Sequence, residues 1–248
     1  MTAIETAALT KRYGNTLAVN ELSFSIPSGV VYGFLGPNGA GKTTTMRMLT
    51  GLLEPTSGTG RVGGVPITDR DGLREQLGYL PEEPPLYDEA TGREQLTYIA
   101  GLRDLPERES QERIEELLGV LDLTADADTR IAEYSKGMRQ KVAYIQAVLH
   151  EPPVVFLDEP TSGLDPRAAR TLREEILGLA ARGTTVFLST HILPVVEEVA
   201  DTVGILYEGE LVAEDSPESL TGVETDGDES LEDVFLELTD ADEVAMDG

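Results

Sequence analysis

The 248 residues of this chain are enough to bury a full α/β core, and with 5% aromatic residues and no Trp that core must be mainly aliphatic. The 46 acidic and 19 basic residues give a net charge of −27, which argues against a nucleic-acid partner, because phosphate backbones bind to basic surfaces. The absence of cysteine excludes disulfides and thiolate metal sites.

The predicted elements begin with two strands and a helix. Residues 22–26 alternate between apolar and polar side chains, which predicts a half-buried strand, and residues 27–29 (Pro-Ser-Gly) predict the turn that follows it. Residues 30–35 form an apolar run that is typical of a buried strand. Helix-like spacing then indicates a helix at about residues 42–52.

Between this buried strand and this helix, residues 36–43 fit the pattern G-x-x-x-x-G-K-[ST] of a phosphate-binding loop. Its glycines let backbone N–H groups turn toward phosphate oxygens, and the helix adds its positive N-terminal end. We expect Lys42 to hold the β- and γ-phosphates of a nucleotide and the Thr43 hydroxyl to ligate Mg²⁺. The predicted nucleotide-binding residues of the loop are Gly36, Pro37, Asn38, Gly39, Ala40, Gly41, Lys42, Thr43 and Thr44. The alternative is an ordinary glycine-rich turn between a strand and a helix.

A helical segment follows and interrupts the alternation. Residues 91–149 contain three helical patterns and no convincing strand, and one of these patterns places Ile114, Leu117 and Leu118 on the same face. We therefore expect an all-helical insertion at about residues 88–150.

Strands are predicted again at residues 154–157 and 185–188, separated by a helix that starts after Asp165. The alternation of strand and helix implies an α/β fold with a mostly parallel sheet.

Two carboxylates follow the apolar strand at residues 154–157. A buried strand that ends in Asp158 and Glu159 places both at its carboxyl edge, where ligands bind in open α/β sheets. We expect Asp158 to complete the Mg²⁺ site with Thr43, through water, and Glu159 to polarise an attacking water. A pair of acidic residues at a helix N-cap has the same sequence pattern and is the alternative.

Three further motifs carry a resemblance to a known family. Residues 134–140 (Tyr-Ser-Lys-Gly-Met-Arg-Gln) resemble the signature motif of ABC-type ATPases, residues 162–165 resemble the D-loop and residues 189–191 the switch histidine. With the phosphate loop and the acidic strand, five motifs stand in the family's order over about residues 3–215. The resemblance implies the α/β fold of P-loop NTPases, with an N-terminal antiparallel β part and a helical signature subdomain.

In this family two ATPase domains pack head to tail, so that the signature of one contacts the γ-phosphate of the ATP held by the other. The Ser135 hydroxyl, the Gly137 N–H and the helix dipole would together form this second anion site. The signature residues implied by the resemblance are Ser135, Lys136, Gly137 and Met138, and the D-loop residues are Ser162, Gly163, Leu164 and Asp165. A plain helix N-cap is the alternative role for Ser135.

The resemblance also assigns one aromatic residue and one histidine. Tyr13 occupies the position of the aromatic that stacks on adenine, a contact worth about 1–3 kcal/mol in nucleic-acid systems. A core or strand-edge tyrosine is the alternative. His191 is implied to contact the γ-phosphate, which gives Glu159, His191 and Lys42 as candidate catalytic residues. We interpret His150 as structural, because a histidine at the end of the signature helix complements the helix dipole.

The chain departs from the family pattern at three positions. Glu82 stands where the family has a glutamine, and its carboxylate still offers an oxygen to Mg²⁺. Lys136 and Met138 replace the commoner glycine and glutamine of the signature. Together with residues 81–87 and 231–238, they resemble the subgroup that serves two-component exporters, in which a separate membrane protein forms the pathway.

These observations predict the ATP-hydrolysing subunit of an ABC transporter, with ATP and Mg²⁺ as cofactors. The expected partners are a transmembrane permease subunit and a second ATPase domain, identical or a close paralogue, on the cytoplasmic face of the cell membrane. No stretch of the sequence predicts a membrane span or a secretion signal. The alternatives are a soluble ABC ATPase that acts in assembly or on nucleic acid, and a regulatory nucleotide-binding module without turnover.

We expect residues 1–220 to form the ATPase domain and residues 221–248 to hold an acidic linker and a short amphipathic helix. The linker corresponds to residues 221–230, and the helix is expected at residues 231–238. Ser230 and Asp233 have the spacing of a capping box at its N-terminus.

The net charge further predicts a cytoplasm of high salt concentration. At 0.15 M salt the screening length is about 8 Å and surface carboxylates repel one another, whereas above 1 M it falls to about 3 Å or less. An ordinary acidic protein is the alternative.

Overall fold

Two β-sheets organise the part of the chain that the computed structural model describes, residues 1–222 and 230–240. The strands in chain order are β1 (Thr2–Tyr13), β2 (Thr16–Leu22), β3 (Ser25–Pro27), β4 (Val31–Leu35), β5 (Ser57–Val62), β6 (Val65–Pro66), β7 (Leu77–Leu80), β8 (Val154–Asp158), β9 (Thr185–Thr190), β10 (Thr202–Tyr207) and β11 (Glu210–Asp215). The smaller sheet is antiparallel and has the order β2-β1-β5-β6, with β3 paired to β1.

The larger sheet has the order β11-β10-β4-β9-β8-β7, and all of its pairs are parallel except β10 with β11. Every residue of β4, β8 and β9 is buried, because helices cover one face of the parallel sheet, and the antiparallel sheet with the helix that follows β4 covers the other. The predicted fold class, a mostly parallel α/β sheet with an N-terminal antiparallel part, is therefore confirmed.

The core is mainly aliphatic, as expected, but five of its aromatic residues are concentrated in one place. Phe187 of β9 lies at the centre, with ring centroids 5.1 Å from Phe34, 5.4 Å from Phe156 and 5.4 Å from Tyr32. Phe24 joins the same cluster from the smaller sheet. This cluster joins the antiparallel sheet to one face of the parallel sheet.

Helices and one 3₁₀ turn (Ile131–Glu133) complete the described chain. The helices are α1 (Lys42–Leu49), α2 (Arg70–Gln76), α3 (Gly92–Leu102), α4 (Glu107–Val120), α5 (Lys136–Val148), α6 (Pro166–Ala181), α7 (Leu193–Val199), α8 (Pro217–Leu220) and α9 (Leu231–Asp240). The three helices predicted between residues 91 and 149 are α3, α4 and α5, whereas the boundaries of the helical insertion stay a prediction. None of the described helices is both long and apolar enough to span a membrane.

The prediction of one continuous strand at residues 22–26 is wrong. The burial does alternate as expected, but β2 ends at Leu22 and β3 begins at Ser25. The long strand β1 pairs with β2 at its second half and with β3 at its first half, and between them Phe24 exchanges hydrogen bonds with Thr6. Glu21 has a φ of 47°, so the backbone turns where the two pairings meet.

The interpretation that His150 complements the dipole of the signature helix is also wrong. α5 ends at Val148, and the half-buried His150 ring lies two residues beyond it, with Nε2 3.0 Å from the carbonyl oxygen of Leu77. Burial, followed by the nearby Arg103 charge, lowers the pKa of His150 to about 4. The ring is neutral at pH 7 and has no charge with which to complement a dipole, so it joins β7 to the end of α5 by a hydrogen bond.

The C-terminal helix α9 begins with the predicted capping box. The Ser230 hydroxyl accepts the Asp233 N–H at 3.2 Å, and the Asp233 carboxylate accepts the Ser230 N–H at 3.0 Å. The apolar face of α9, which includes Leu231, Val234 and Phe235, packs against the end of the larger sheet. Residues 223–229, which hold most of the predicted acidic linker, and residues 241–248 lie outside the described residues.

Candidate nucleotide-binding site

Three neighbouring strands of the larger sheet end at the same edge. In the parallel pairing of β4 with β9, Leu35 is opposite Thr190, and in the pairing of β8 with β9, Asp158 is opposite Ser189. The loop of residues 36–41 leaves β4, Glu159 follows β8 and His191 follows β9, so all three segments meet at the carboxyl edge of the sheet. Ligands bind at this edge in open α/β sheets.

The loop of residues 36–41 turns sharply into α1. Gly41, the N-cap of α1, has a φ of 108°, which disfavours any residue with a Cβ atom, and a Cβ there would lie 2.5 Å from the carbonyl oxygen of Ala18. A Cβ on Gly36 would lie 2.4 Å from the carbonyl oxygen of Leu206. Within the described chain no side chain caps the start of α1, so its first N–H groups face the loop and suit an anion.

The three chain segments line one cavity of about 300 Å³. Its lining consists of Ala18, Asn38, Gly39, Gly41, Lys42, Thr43, Thr44, Glu82, Asp158, Glu159, Ser162 and His191. The structure thus brings together the predicted phosphate loop, both predicted carboxylates, the predicted switch histidine and Glu82. The sequence analysis did not include Ala18, whose place beside Gly41 comes from the contact of β2 with the loop.

Lys42 is 7% exposed and lies over the phosphate loop. Its Nζ donates to the carbonyl oxygens of Gly36, at 2.6 Å, and Pro37, at 3.1 Å. Burial lowers the pKa of Lys42, while the charges of Glu159, Asp158 and Glu82 oppose that shift. The ammonium is therefore held between the loop and a set of carboxylates, where it can neutralise phosphate oxygens.

Asp158 is 1% exposed and has one oxygen engaged and one oxygen free of protein donors. Its Oδ1 accepts the Ser189 hydroxyl at 2.9 Å. Burial raises the pKa of Asp158, and the Ser189 hydrogen bond and the nearby Thr43 hydroxyl oppose the shift. Oδ2 is buried and has no hydrogen-bond partner among the described residues.

A buried carboxylate oxygen without a donor fits a metal ligand, because such an atom otherwise carries an uncompensated cost of burial. Thr43 and Glu82 line the same cavity as Asp158, and all three offer oxygen, the ligand type that Mg²⁺ prefers. No cluster of three or more His, Cys, Asp or Glu side chains in the described part of the chain has the arrangement of a metal site. The predicted set contains only two carboxylates, so it would depend on the threonine, on water and on nucleotide oxygens.

Glu159 is 6% exposed, and hydrogen bonds hold its carboxylate on both oxygens. Oε2 accepts the Thr190 hydroxyl at 3.0 Å, and Oε1 accepts the backbone N–H of His191 at 3.0 Å. The His191 ring places Nδ1 2.7 Å from Oε1, which fits the tautomer with hydrogen on Nδ1 and leaves Nε2 directed away from Glu159. Glu159 also has a φ of 49°, in the left-handed region that residues with a side chain rarely adopt.

Three residues that hydrogen-bond to Asp158 or Glu159 received no role of their own from the sequence. Ser189 and Thr190 end β9 and contact Asp158 and Glu159 respectively. Gln140 of α5 is 2% exposed and donates from Nε2 to the carbonyl oxygen of Glu159 at 3.3 Å. A strand that changes from apolar to Ser-Thr at its carboxyl end is a signal for the first two, whereas Gln140 ends the signature-like segment of residues 134–140 and its motif gave no hint of a contact with Glu159.

Other predicted residues lie outside the cavity. Tyr13 at the end of β1 is 49% exposed, which excludes a core tyrosine, and the Lys11 Nζ lies 5.3 Å from its ring centroid. The stacking role of Tyr13 stays a prediction. The Ser135 hydroxyl caps α5 by accepting the Met138 N–H at 3.2 Å, so the plain N-cap, which was the alternative role for Ser135, is present. The role of Ser135 toward a nucleotide in a second domain also stays a prediction.

Residues 19–162 match a protein family described as ABC transporter. An uncharacterized ABC transporter ATP-binding protein of Nostoc sp. is 45% identical over 202 residues, which cover 81% of this chain and 60% of that protein. The Nod factor export ATP-binding protein I of Mesorhizobium japonicum is 40% identical over 219 residues, covering 88% of this chain and 64% of that protein. This chain therefore spans less than two thirds of the length of these two relatives.

The bacitracin transport ATP-binding protein BcrA of Enterococcus faecalis is 40% identical over 213 residues, which cover 85% of this chain and 68% of that protein. Among solved structures, the ATP binding subunit of an ABC transporter matches with a TM-score of 0.89 and 34% identity, over 96% of this chain and 99% of that chain. A dimeric ATP-binding cassette bound to ADP and Pi matches with a TM-score of 0.78 over 86% of this chain and 98% of that chain. At 24% identity this second match establishes the fold alone.

Proposed function

This chain belongs to the ABC transporter family, and we propose that it is the ATP-hydrolysing subunit of a transporter that works with a separate membrane permease. The observation that carries this proposal is the single cavity in which Lys42, Thr43, Asp158, Glu159 and His191 meet from three parts of the chain. A phosphate-binding loop alone would bind a nucleotide. The carboxylate held beside it adds a group suited to hydrolysis.

In the proposed reaction the chain positions the phosphates and activates a water. Lys42 and the first N–H groups of α1 stabilise the charge on the phosphoryl oxygens. Glu159 accepts a proton from the attacking water, and its bonds to Thr190 and His191 fix the orientation of the carboxylate. His191 keeps Nδ1 on Glu159, so Nε2 is available to donate to the γ-phosphate when the ring is protonated.

Asp158, Thr43 and Glu82 would hold Mg²⁺ beside the phosphates. When bound, Mg²⁺ would supply positive charge that offsets the negative charge of the phosphate oxygens. Asp158 contributes its unpartnered Oδ2, while Ser189 keeps Oδ1 engaged and so fixes the direction of the carboxylate.

We further propose that two such domains close on ATP, with Ser135, Lys136, Gly137 and Met138 of one facing the γ-phosphate of the other. The second domain is an identical chain or a close paralogue, and the pair acts on the inner face of the cell membrane. A relative named for Nod factor export supports export as the direction of transport. The net charge of −27 and the comparisons give no support to the alternative of a soluble ATPase that acts on nucleic acid.

A combined binding and activity experiment tests this function. The purified chain should hydrolyse ATP in a Mg²⁺-dependent manner, and the tagged chain should recover a multi-helix membrane protein from detergent-solubilised membranes of its source. Recovery of nucleic acid or of a soluble assembly instead, with no membrane protein, would contradict the transporter proposal. Absence of hydrolysis with intact ATP binding would favour the regulatory module without turnover.

The role proposed for Glu82 predicts different effects of two substitutions. Glu82→Gln keeps an oxygen of similar reach and should retain hydrolysis within about tenfold, or about 1.4 kcal/mol. Glu82→Ala removes that oxygen and should weaken the apparent Mg²⁺ affinity, and it should impair transport more than basal hydrolysis. The measurement is the ATPase rate as a function of Mg²⁺ concentration for the parent chain and both variants, followed by transport once a partner is known.

The neighbouring exposed carboxylate provides the control for this test. Glu83→Ala should behave like the parent chain, because Glu83 does not line the cavity. If Glu82→Ala behaves like the parent in both assays and Glu83→Ala does not, the assignment of this loop is one residue out of register. If Glu82→Gln is as inactive as a variant of the catalytic base while ATP still binds, Glu82 must act through its negative charge.

The proposed high-salt habitat predicts that stability depends on salt. Lowering KCl from about 2 M to about 0.1 M should lower the melting temperature, because the screening length rises from about 3 Å or less to about 10 Å and the carboxylates repel one another. The measurement is a thermal melt across the KCl series, with an equal osmolality of sucrose as the uncharged control. A melting temperature that does not change with KCl would contradict the habitat and leave the ATPase proposal untouched.

A further inference from the structure

Lys136, the first residue of α5, contacts a loop that lies 26 residues further along the chain. Its Nζ donates to the Ser162 hydroxyl at 3.0 Å. The stem of the same side chain lies on Gly163, where a Cβ atom would stand 2.6 Å from the Lys136 Cδ. Gly163 also has a φ of 78°, so both the backbone conformation and the contact with Lys136 disfavour any residue larger than glycine at this position.

A second contact joins the same two segments through the backbone. A Cβ atom on Gly137 would lie 3.3 Å from the carbonyl oxygen of Gly163 and 3.3 Å from the Leu164 Cδ2. Leu164 and Met138 are half-buried against the same apolar cluster. The start of α5 and residues 162–164 are therefore packed as one unit, and the lysine is the polar part of that packing.

This unit contacts the backbone of Glu159, the candidate catalytic base. Ser162 lines the phosphate cavity, and its backbone N–H donates to the carbonyl oxygen of Glu159 at 3.0 Å. The same carbonyl oxygen accepts Nε2 of Gln140 from the second turn of α5. The helix that begins with the signature residues thus meets Glu159 twice, directly through Gln140 and through the pair of Lys136 and Ser162.

Within the described residues, the Lys136 ammonium donates to an uncharged group, the Ser162 hydroxyl. Among the described residues it forms no ion pair, although the chain contains 46 acidic residues, and the Ser162 hydroxyl is the acceptor of its ammonium. A hydrogen bond from a charged donor directs the side chain toward Ser162 more strongly than a neutral one would.

We propose that Lys136 is a positioning residue that connects the signature helix to the phosphate cavity of its own chain. The inference rests on the proposed function, in which the signature faces ATP held by a second domain. When α5 of one domain contacts the ATP held by its partner, the position of α5 changes. Lys136 passes this change to Ser162 and so to Glu159 of the same chain. Each domain thereby aligns its own catalytic carboxylate when it closes on its partner's nucleotide.

The first test separates positioning from nucleotide binding. Lys136→Met keeps most of the stem and removes the ammonium, and Ser162→Ala removes the acceptor. Each substitution should lower kcat about three- to tenfold. For Lys136→Met, the Kd of ATP for the isolated subunit should change less than about twofold, because Lys136 does not line the cavity. The double variant should be no slower than the slower single variant, since both changes remove the same bond.

The second test places the two changes on the same or on opposite subunits of a dimer. With both changes on one subunit only one link is lost, so kcat should match that of a dimer with a single change. With Lys136→Met on one subunit and Ser162→Ala on the other, two links are lost and kcat should be lower. The reverse order would mean that Lys136 acts on its partner's Ser162, which overturns the connection within one chain.

Matched variants complete the experiment. Lys136→Arg keeps a charged donor of similar reach and should restore kcat to within about twofold of the parent, and Lys141→Met, the same change elsewhere on α5, should leave kcat unchanged. Effects of Lys136→Met and Ser162→Ala that multiply in an active enzyme overturn this inference alone. A parent chain with no ATP turnover overturns the proposed function and the inference together, before any variant is compared.

Discussion

Glu159→Gln should still bind Mg-ATP and should lose turnover by about 10²–10⁴-fold, or about 3–5 kcal/mol of barrier, the range for loss of a general base. The substitution keeps the size of the side chain and one acceptor oxygen, which can serve either the Thr190 hydroxyl or the two N–H groups of His191. It removes the carboxylate that would accept a proton from the attacking water. Because the binding residues of the phosphate loop are untouched, affinity for the nucleotide should be preserved.

The measurement is single-turnover hydrolysis together with an independent determination of the Kd of Mg-ATP. Glu197→Gln on α7 makes the same chemical change at an exposed position close in sequence to His191 and should hydrolyse ATP at the parental rate. Near-normal hydrolysis by Glu159→Gln would remove this residue from the mechanism. Equal loss in both variants would mean that the charge near α7, rather than a base, controls the rate.

Mixing two inactive variants should restore hydrolysis if the site is shared between two chains. Lys42→Ala removes the ammonium that contacts phosphates and should weaken ATP binding itself, whereas Ser135→Arg places a bulky cation at the start of α5 and should block the signature face. Each homodimer then has both sites damaged. In a mixed dimer the intact phosphate loop of one chain meets the intact signature of the other, which rebuilds one of two sites.

Equal mixing with full exchange makes half of the dimers mixed, so recovery should reach about a quarter of the parental rate. Subunit exchange is followed with two different tags, and hydrolysis is measured before and after mixing. Ser135→Ala is the control for folding, because it removes the N-cap bond, worth about 1 kcal/mol, without adding the bulk and charge of arginine. No recovery despite confirmed exchange would exclude sites formed between chains, and tight ATP binding by Lys42→Ala would contradict the assignment of the phosphate loop.

Local patterns carried most of the correct predictions. The phosphate loop, the fully buried strands β4, β8 and β9, and the capping box of Ser230 and Asp233 each depend on neighbours within a few residues. A strand buried on both faces is apolar throughout, and a helix cap joins residues three positions apart. A short stretch of sequence is therefore enough to predict a buried strand or a helix cap.

The errors arose where a distant segment decides the local structure. Residues 22–26 have the alternation of one strand, but β1 pairs with β2 and β3 in different registers and divides it. His150 stands near a helix end, where a charged ring would be favourable, but burial against β7 keeps the ring neutral. The residues adjacent in sequence show neither the strand pairing of residues 22–26 nor the burial of His150.

Contiguous motifs, the phosphate loop and the two adjacent carboxylates, were enough to predict which residues would carry the chemistry of this protein. What each carboxylate can do depends on contacts that form only in the folded chain. Ser189 engages one oxygen of Asp158 and leaves Oδ2 unpartnered, whereas Thr190 and His191 bond both oxygens of Glu159. The two acids are neighbours in sequence, and their difference comes from the register of β8 against β9, a strand about thirty residues away.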